Sequence, residues 1–221
     1  MVYRAVVFDL DGTLVDSLAD LAASGNELLS SLGQTTHPAD AYRYFVGNGS
    51  RKLVERLLPD AGPEETERAL ATYKEIYARR LLEHTRPYDG IPELLAALRA
   101  RGVKLAVCTN KHQTAAEAVL GKLFAAGTFD AFTGDRPSVP PKPDPANALY
   151  VMERLGIRPE ETAYLGDTAV DMETAVRSGA LPVGVLWGFR PREELTASGA
   201  RVLLEKPLEL LEKVIFPHPP R

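Results

Sequence analysis

Ala5-Val6-Val7-Phe8-Asp9-Leu10-Asp11-Gly12-Thr13 is the stretch that decides the fold. Its first four residues form an apolar, partly β-branched run, closed by the turn-formers Asp11-Gly12, and read as a strand buried on both faces. Similar runs recur at Leu105-Ala106-Val107, Ala163-Tyr164-Leu165 and Val183-Gly184-Val185-Leu186. Amphipathic helical stretches lie between or after them, from Ile91 to Arg101, Thr114 to Phe124, Asp144 to Leu155 and Thr168 to Ser178. Strands alternating with helices predict an α/β fold with a parallel sheet covered by helices on both faces.

The segment from about Leu18 to Thr85 breaks this pattern. Apolar positions recur there at helical spacing, as in Leu18, Leu21, Ala22, Leu28, Leu29 and Leu32, then Leu53, Val54, Leu57 and Leu58. A long helix is expected from near Glu64 to Leu82, with Pro63 where a first helical turn tolerates proline. A helical block thus interrupts the α/β chain just after its first strand, and is expected to be an inserted cap. The expected division is an α/β core of residues 1–16 and 87–221 with a cap of residues 17–86. Its hinges would be Asp16-Ser17 and Thr85-Arg86-Pro87-Tyr88.

The 221 residues suit one domain with a sizeable insertion. The formal net charge is -4 and no long basic run occurs, which argues against nucleic acid as a partner. No stretch approaches the roughly 18 apolar residues of a membrane span. Met1 to Phe8 lacks the length and cleavage pattern of a signal peptide. The single cysteine, Cys108, forbids an intramolecular disulfide and suits a reducing compartment. The expectation is a cytoplasmic protein, monomer or homodimer, acting on a small molecule.

Three strand ends carry residues suited to chemistry, and in parallel sheets ligands bind beyond the carboxyl ends of strands. Asp9 and Asp11 follow the first strand, and Gly12 lets the backbone curl so that both carboxylates can turn to one site. The plain alternative is a turn whose Asp residues cap a helix. Asp167 leaves a later strand, and Asp171, four residues on, can face the same site from the first helical turn. The alternative there is an N-cap by Asp167 or Thr168. Such an acidic cluster repels itself unless a cation sits within it; oxygen ligands beside a phosphate favour Mg²⁺. Thr109 and Asn110 end a third strand before a helix, where they either cradle a phosphate or cap that helix. Lys142, held in Pro141-Lys142-Pro143, could neutralise a transferring phosphoryl group.

Together these motifs resemble those of the haloacid dehalogenase-like hydrolase superfamily: Asp9-Leu10-Asp11-Gly12-Thr13, Thr109 in Cys-Thr-Asn, Lys142 in Pro-Lys-Pro, and Gly166-Asp167 with Asp171. The helical insertion resembles that family's cap. The resemblance implies a Rossmann-like core and Mg²⁺-dependent removal of phosphate from a small molecule through an aspartyl-phosphate. By that resemblance Asp9 is the nucleophile. Asp11 is the general acid for the leaving alcohol and then the base for water. Mg²⁺ would be held by the Asp9 carboxylate, the Asp11 backbone carbonyl and Asp167, with Asp171 direct or through water. Thr109, Asn110, Lys142 and the N–H groups of Gly12 would hold the phosphoryl oxygens.

Within the superfamily, Asp9 to Ser17, Val46-Gly47-Asn48-Gly49 and Cys108-Thr109-Asn110-Lys111 resemble the phosphoglycolate phosphatase branch. On that reading the loop Gly47-Asn48-Gly49-Ser50, with Arg51 or Lys52, meets a substrate carboxylate. A turn with solvated charges is the alternative. His37 and His84 show no partner pattern and are expected at the surface. Three rival functions stay open: a phosphatase for a nucleotide, sugar phosphate or pyrophosphate, phosphoglucomutase-type transfer, and an idle binding module.

Overall fold

The computed structural model describes residues 1–218. In chain order, β1 (Ala5–Phe8) and β2 (Val15–Asp16) precede a block of α1 (Leu18–Ser31), α2 (Tyr42–Phe45), α3 (Gly49–Leu57) and α4 (Pro63–Arg80). Then come β3 (Arg86–Pro87), α5 (Ile91–Ala100), β4 (Lys104–His112), α6 (Gln113–Leu123), β5 (Ala131–Asp135) and α7 (Ala146–Leu155). The chain continues with β6 (Thr162–Gly166), α8 (Ala169–Ser178), β7 (Leu181–Val185), α9 (Arg192–Ala197), β8 (Val202–Leu204) and α10 (Leu210–Lys213).

Six strands form one parallel sheet in the order β5-β4-β1-β6-β7-β8. Every residue of β1 is fully buried, as expected of a central parallel strand. Side chains alternate between its faces. Val6 and Phe8 join one hydrophobic cluster with Leu105, Val107, Leu165, Ile91 and Leu94; Val7 joins another with Ala106, Tyr164, Val151 and Met152. Helices therefore cover both faces, as the alternation of elements predicts. Burying each such large apolar side chain contributes about 1.5–3 kcal/mol, so the sheet's centre is the most firmly held part of the molecule.

This order sets the site. β4 and β6 flank β1, so the carboxyl ends of all three lie side by side. The chain leaves β1 to build one half of the sheet and crosses back through β6 to build the other. That is the switch point where open α/β sheets bind ligands.

The helical block has its own cluster, including Leu21, Leu28, Leu29, Tyr42, Leu53, Leu57, Tyr73 and Ile76. α4 starts with Pro63 at its first turn, beside Glu64 and Glu65, and ends with Arg79 and Arg80, charges that match the helix dipole. It stops two residues before the expected Leu82. Leu82 has a φ of 74°, which turns the chain back toward the sheet. The two expected hinges meet there as a short antiparallel ladder, Val15 opposite Pro87 and Asp16 opposite Arg86. Fully buried Asp20 clamps this return. It accepts from the N–H groups of His84 and Thr85 at 2.9 Å each and from Thr85 Oγ1 at 2.6 Å. The exposed His84 ring also turns its Nδ1 to Asp20.

Other boundaries differ from the sequence reading for local reasons. β4 runs on through Thr109 and Asn110 to His112, so these residues sit inside the strand's end, and α6 follows directly at Gln113, one residue before the expected start. α7 starts at Ala146 because Asp144 accepts from the Ala146 N–H, closing a turn before the helix. β5 and β8, unread in the sequence, are sheet edges that are only partly buried; β5 mixes polar Thr133 and Asp135 with its apolar residues, and the apolar run of β8 is only three residues long. No helix among the described residues is long and apolar enough to cross a membrane.

Candidate active site

Asp9 leaves β1 with its N–H bonded to Leu165 O of β6, which fixes the carboxylate at the switch point. Lys142 reaches it from the loop before α7. Its ammonium donates to Asp9 Oδ1 at 2.9 Å, Asp171 Oδ1 at 2.6 Å and Cys108 O at 3.0 Å, so all three donors are used. Asn110 holds that loop: its Oδ1 accepts from the Lys142 N–H at 2.8 Å and its Nδ2 donates to Lys142 O at 3.1 Å. The same Nδ2 donates to Gly47 O of the helical block at 3.2 Å. Asn110 thus positions Lys142 and ties the block to the sheet, and its amide is not free to grip a phosphate.

Asp167 is fully buried. It accepts from Thr13 Oγ1 at 3.1 Å and from the Phe189 N–H at 2.8 Å. Asp171 accepts from the N–H and Oγ1 of Thr168, so it serves the start of α8 and the site together. Gly12 has φ of 89°, and a Cβ there would run into the Asp167 carboxylate. Its N–H is bonded to Val15 O at 2.9 Å. Glycine is required for the close approach, but the expected role of its N–H toward a phosphate is not available.

Asp9, Asp167 and Asp171 bring carboxylate oxygens within 4.8 Å of one another. Burial, reinforced by Asp171, pushes the Asp9 carboxyl up to about 7 against the opposing pull of Lys142. Burial, with Asp171 and Asp9, also raises Asp167 well above the usual carboxylate range. Burial works against the Lys142 charge too, but Asp171 and Asp9 hold its pKa well above the ordinary lysine value. One ammonium among three buried carboxylates leaves an excess of negative charge. A hard divalent cation with oxygen ligands fits this donor set.

Asp11 lies on the side facing the helical block. Its carboxylate accepts from Ser17 Oγ at 2.7 Å and from Lys111 Nζ at 2.9 and 3.0 Å. It therefore faces the cavity, with its side chain outside the acidic trio. Thr109 is buried, its Oγ1 accepting the Lys111 N–H at 3.1 Å, and its own proton has no protein acceptor among the described residues. Asp9, Asp11, Thr109 and Asn110 form the floor of a cavity of about 50 Å³, Leu21, Val46, Gly47, Gly49, Ser50, Leu53, Tyr73 and Tyr77 line its roof, and Lys111 reaches from the end of β4 to the Tyr77 hydroxyl in that roof.

Arg51 is the expected site residue that is not brought here. It points outward, half exposed, and pairs with Glu67 of α4. Lys52 is likewise exposed and paired with Glu55. The cation that reaches the cavity is Lys111, which sequence reasoning did not single out. The pairing of β4 with β5 shifts register between Cys108 and His112, so Thr109, Asn110 and Lys111 all line the cavity, which a period-two reading of the sequence does not give.

Residues 3–179 match a family described as haloacid dehalogenase-like hydrolases. The chain is 36% identical over 190 residues to a phosphoglycolate phosphatase of Aquifex aeolicus, covering 84% of this chain and 86% of that one. It is 37% identical to one from Neisseria meningitidis, covering 84% and 81%. A solved structure from Lactobacillus delbrueckii subsp. bulgaricus superposes with a TM-score of 0.91 at 30% identity, over 97% of this chain and 99% of that one.

Proposed function

The chain belongs to the haloacid dehalogenase-like hydrolases and is a phosphoric monoester hydrolase, and from that premise we propose that it hydrolyses 2-phosphoglycolate, with Mg²⁺, through an aspartyl-phosphate on Asp9. The observation that carries this is the contact of Asp9 with Lys142 and with the buried pair Asp167 and Asp171, at the floor of the cavity. The relatives named as phosphoglycolate phosphatases support the substrate.

Asp9, Asp167 and Asp171, with the Asp11 main-chain carbonyl, would hold Mg²⁺, which when bound offsets the charge of the phosphoryl oxygens and of the acidic trio. Asp9 attacks phosphorus in line with the leaving oxygen, and the P–O ester bond breaks as the Asp9–P bond forms. Asp11, on the roof-facing side, gives its proton to the departing alkoxide. It then takes a proton from the water that displaces Asp9 from phosphorus. Lys142 and the free O–H of Thr109 hold the equatorial oxygens as charge shifts. Residues 17–86 act as a cap over a core of 1–16 and 87–221, excluding water during the first step.

Phosphate release from 2-phosphoglycolate, a panel of other esters and pyrophosphate tests this, with Mg²⁺ and with EDTA, and with Asp9→Asn as control. Preference for 2-phosphoglycolate, lost in EDTA and in the variant, is expected. Release from a different ester would move the substrate, and no Mg²⁺-dependent release from any of them would overturn the reading.

A further inference from the structure

The cavity roof holds two features that phosphoryl transfer does not use. Tyr73 is 1% exposed, and its hydroxyl has no hydrogen-bond partner among the described residues. A buried hydroxyl left without a partner is uncommon and points to a missing one. Lys111 is 7% exposed and is the one cation among the cavity's described lining residues. Its ammonium touches both oxygens of Asp11, the Tyr77 hydroxyl and the face of the Tyr77 ring. Tyr73 and Tyr77 lie four residues apart on α4, with rings stacked at 6.0 Å, so both hydroxyls come from one helix face.

We infer that Lys111 and Tyr73 together form the receptor for an anionic end on the leaving group, so that the enzyme selects short phosphate esters whose alcohol carries a carboxylate. The inference rests on the phosphatase reading and names the residues that choose among its substrates. The phosphoryl group occupies the floor beside Asp9 and Lys142, so the leaving group points at the roof. There the Tyr73 O–H lacks an acceptor, and a carboxylate can share the Lys111 ammonium with Asp11. Leu21, Val46 and Leu53 make the rest of that roof largely apolar, with Ser50 its one further side-chain hydroxyl, which is little for a hydroxyl-rich sugar. The cavity is small, about 50 Å³, which suits a short leaving group. Arg51 and Lys52, paired outward, do not compete for this role.

The test compares kcat/KM for 2-phosphoglycolate with that for its uncharged amide, in wild type, Lys111→Met and Tyr73→Phe, with p-nitrophenyl phosphate as a general ester. Wild type is expected to prefer the acid. Hydrogen bonds to charged groups correspond to about 10- to 100-fold in binding. The acid-to-amide ratio should therefore fall about tenfold in Tyr73→Phe and about a hundredfold in Lys111→Met. Tyr73→Phe keeps the ring stack, so it reports even if Lys111→Met does not fold. A ratio unchanged in Tyr73→Phe, or a wild type that turns over p-nitrophenyl phosphate without preferring the acid, overturns the inference alone. A wild type inactive on all three esters overturns the phosphatase reading and the inference with it.

Discussion

Gly188→Ala probes how tightly Asp167 is held. A Cβ at Gly188 would stand well inside 3.0 Å of Asp167 Cβ and of the Gly12 carbonyl oxygen, and 2.7 Å from Asp167 Cγ. None of these atoms is the free end of a flexible side chain. Asp167 is pinned by Thr13 and Phe189, and Gly12 by its bond to Val15. The loop must therefore move by roughly 0.5–1 Å, an overpacking that costs about 1–3 kcal/mol. For a chain of this size that lowers Tm by roughly 2–12 °C. The shift also pulls the Phe189 N–H off Asp167, and disturbing such an orienting partner weakens metal affinity about 10- to 100-fold. Thermal unfolding and Mg²⁺ half-saturation of phosphate release measure the two effects. Gly121→Ala is the contrast: it lies in α6 with nothing within 4 Å of its Cβ, and should gain about 0.5–1 kcal/mol. A Gly188→Ala protein that melts with wild type at the same Mg²⁺ half-saturation would refute this packing argument.

The raised Asp9 and Asp167 carboxyls stabilise the metal-free fold at low pH; the Asp9 contribution is lost as pH rises from the usual 3.8 through about 7, and the Asp167 contribution is lost in the same direction. Mg²⁺ should therefore raise Tm more at pH 8 than at pH 5.5; an equal gain would contradict it. Asp20→Asn removes the clamp on His84 and Thr85 and should cost about 2–3 kcal/mol in urea unfolding. Burial opposes the Asp20 charge, but bonds from Thr85 and His84 hold its carboxyl below 3.8. The variant's deficit should thus be present at neutral pH and shrink as wild type is acidified through that lowered value. Lys142→Met should lower kcat about 10²- to 10³-fold, measured with Mg²⁺ saturating.

Local chemistry made much of this legible. Four of the sheet's strands and the helical block stand out because hydrophobic period switches from runs to helical spacing at Leu18 and back after Tyr88. Asp9, Asp11, Thr109, Asp167 and Asp171 are legible at strand ends and Lys142 in its proline-flanked stretch, and the topology brings them together. β5 and β8 escaped because β5 mixes polar residues into its run and β8 is only three residues long, as partly buried edge strands allow. Arg51 and Lys52 stand beside a glycine loop and so look available in the sequence, whereas Lys111 carries no such local mark. Glu67, sixteen residues away on α4, draws Arg51 outward, and only tertiary packing shows that. The Asp20 clamp and the partnerless Tyr73 hydroxyl likewise depend on contacts distant in sequence.

Stereochemistry at phosphorus tests the central claim most directly. A phosphorothioate ester made chiral at phosphorus with one heavy oxygen isotope is hydrolysed in water carrying the other, and the configuration of the released thiophosphate is read. Each in-line displacement inverts phosphorus, so attack by Asp9 followed by attack of water predicts net retention. Net inversion would mean that water displaces the alcohol directly and that Asp9 is not the nucleophile.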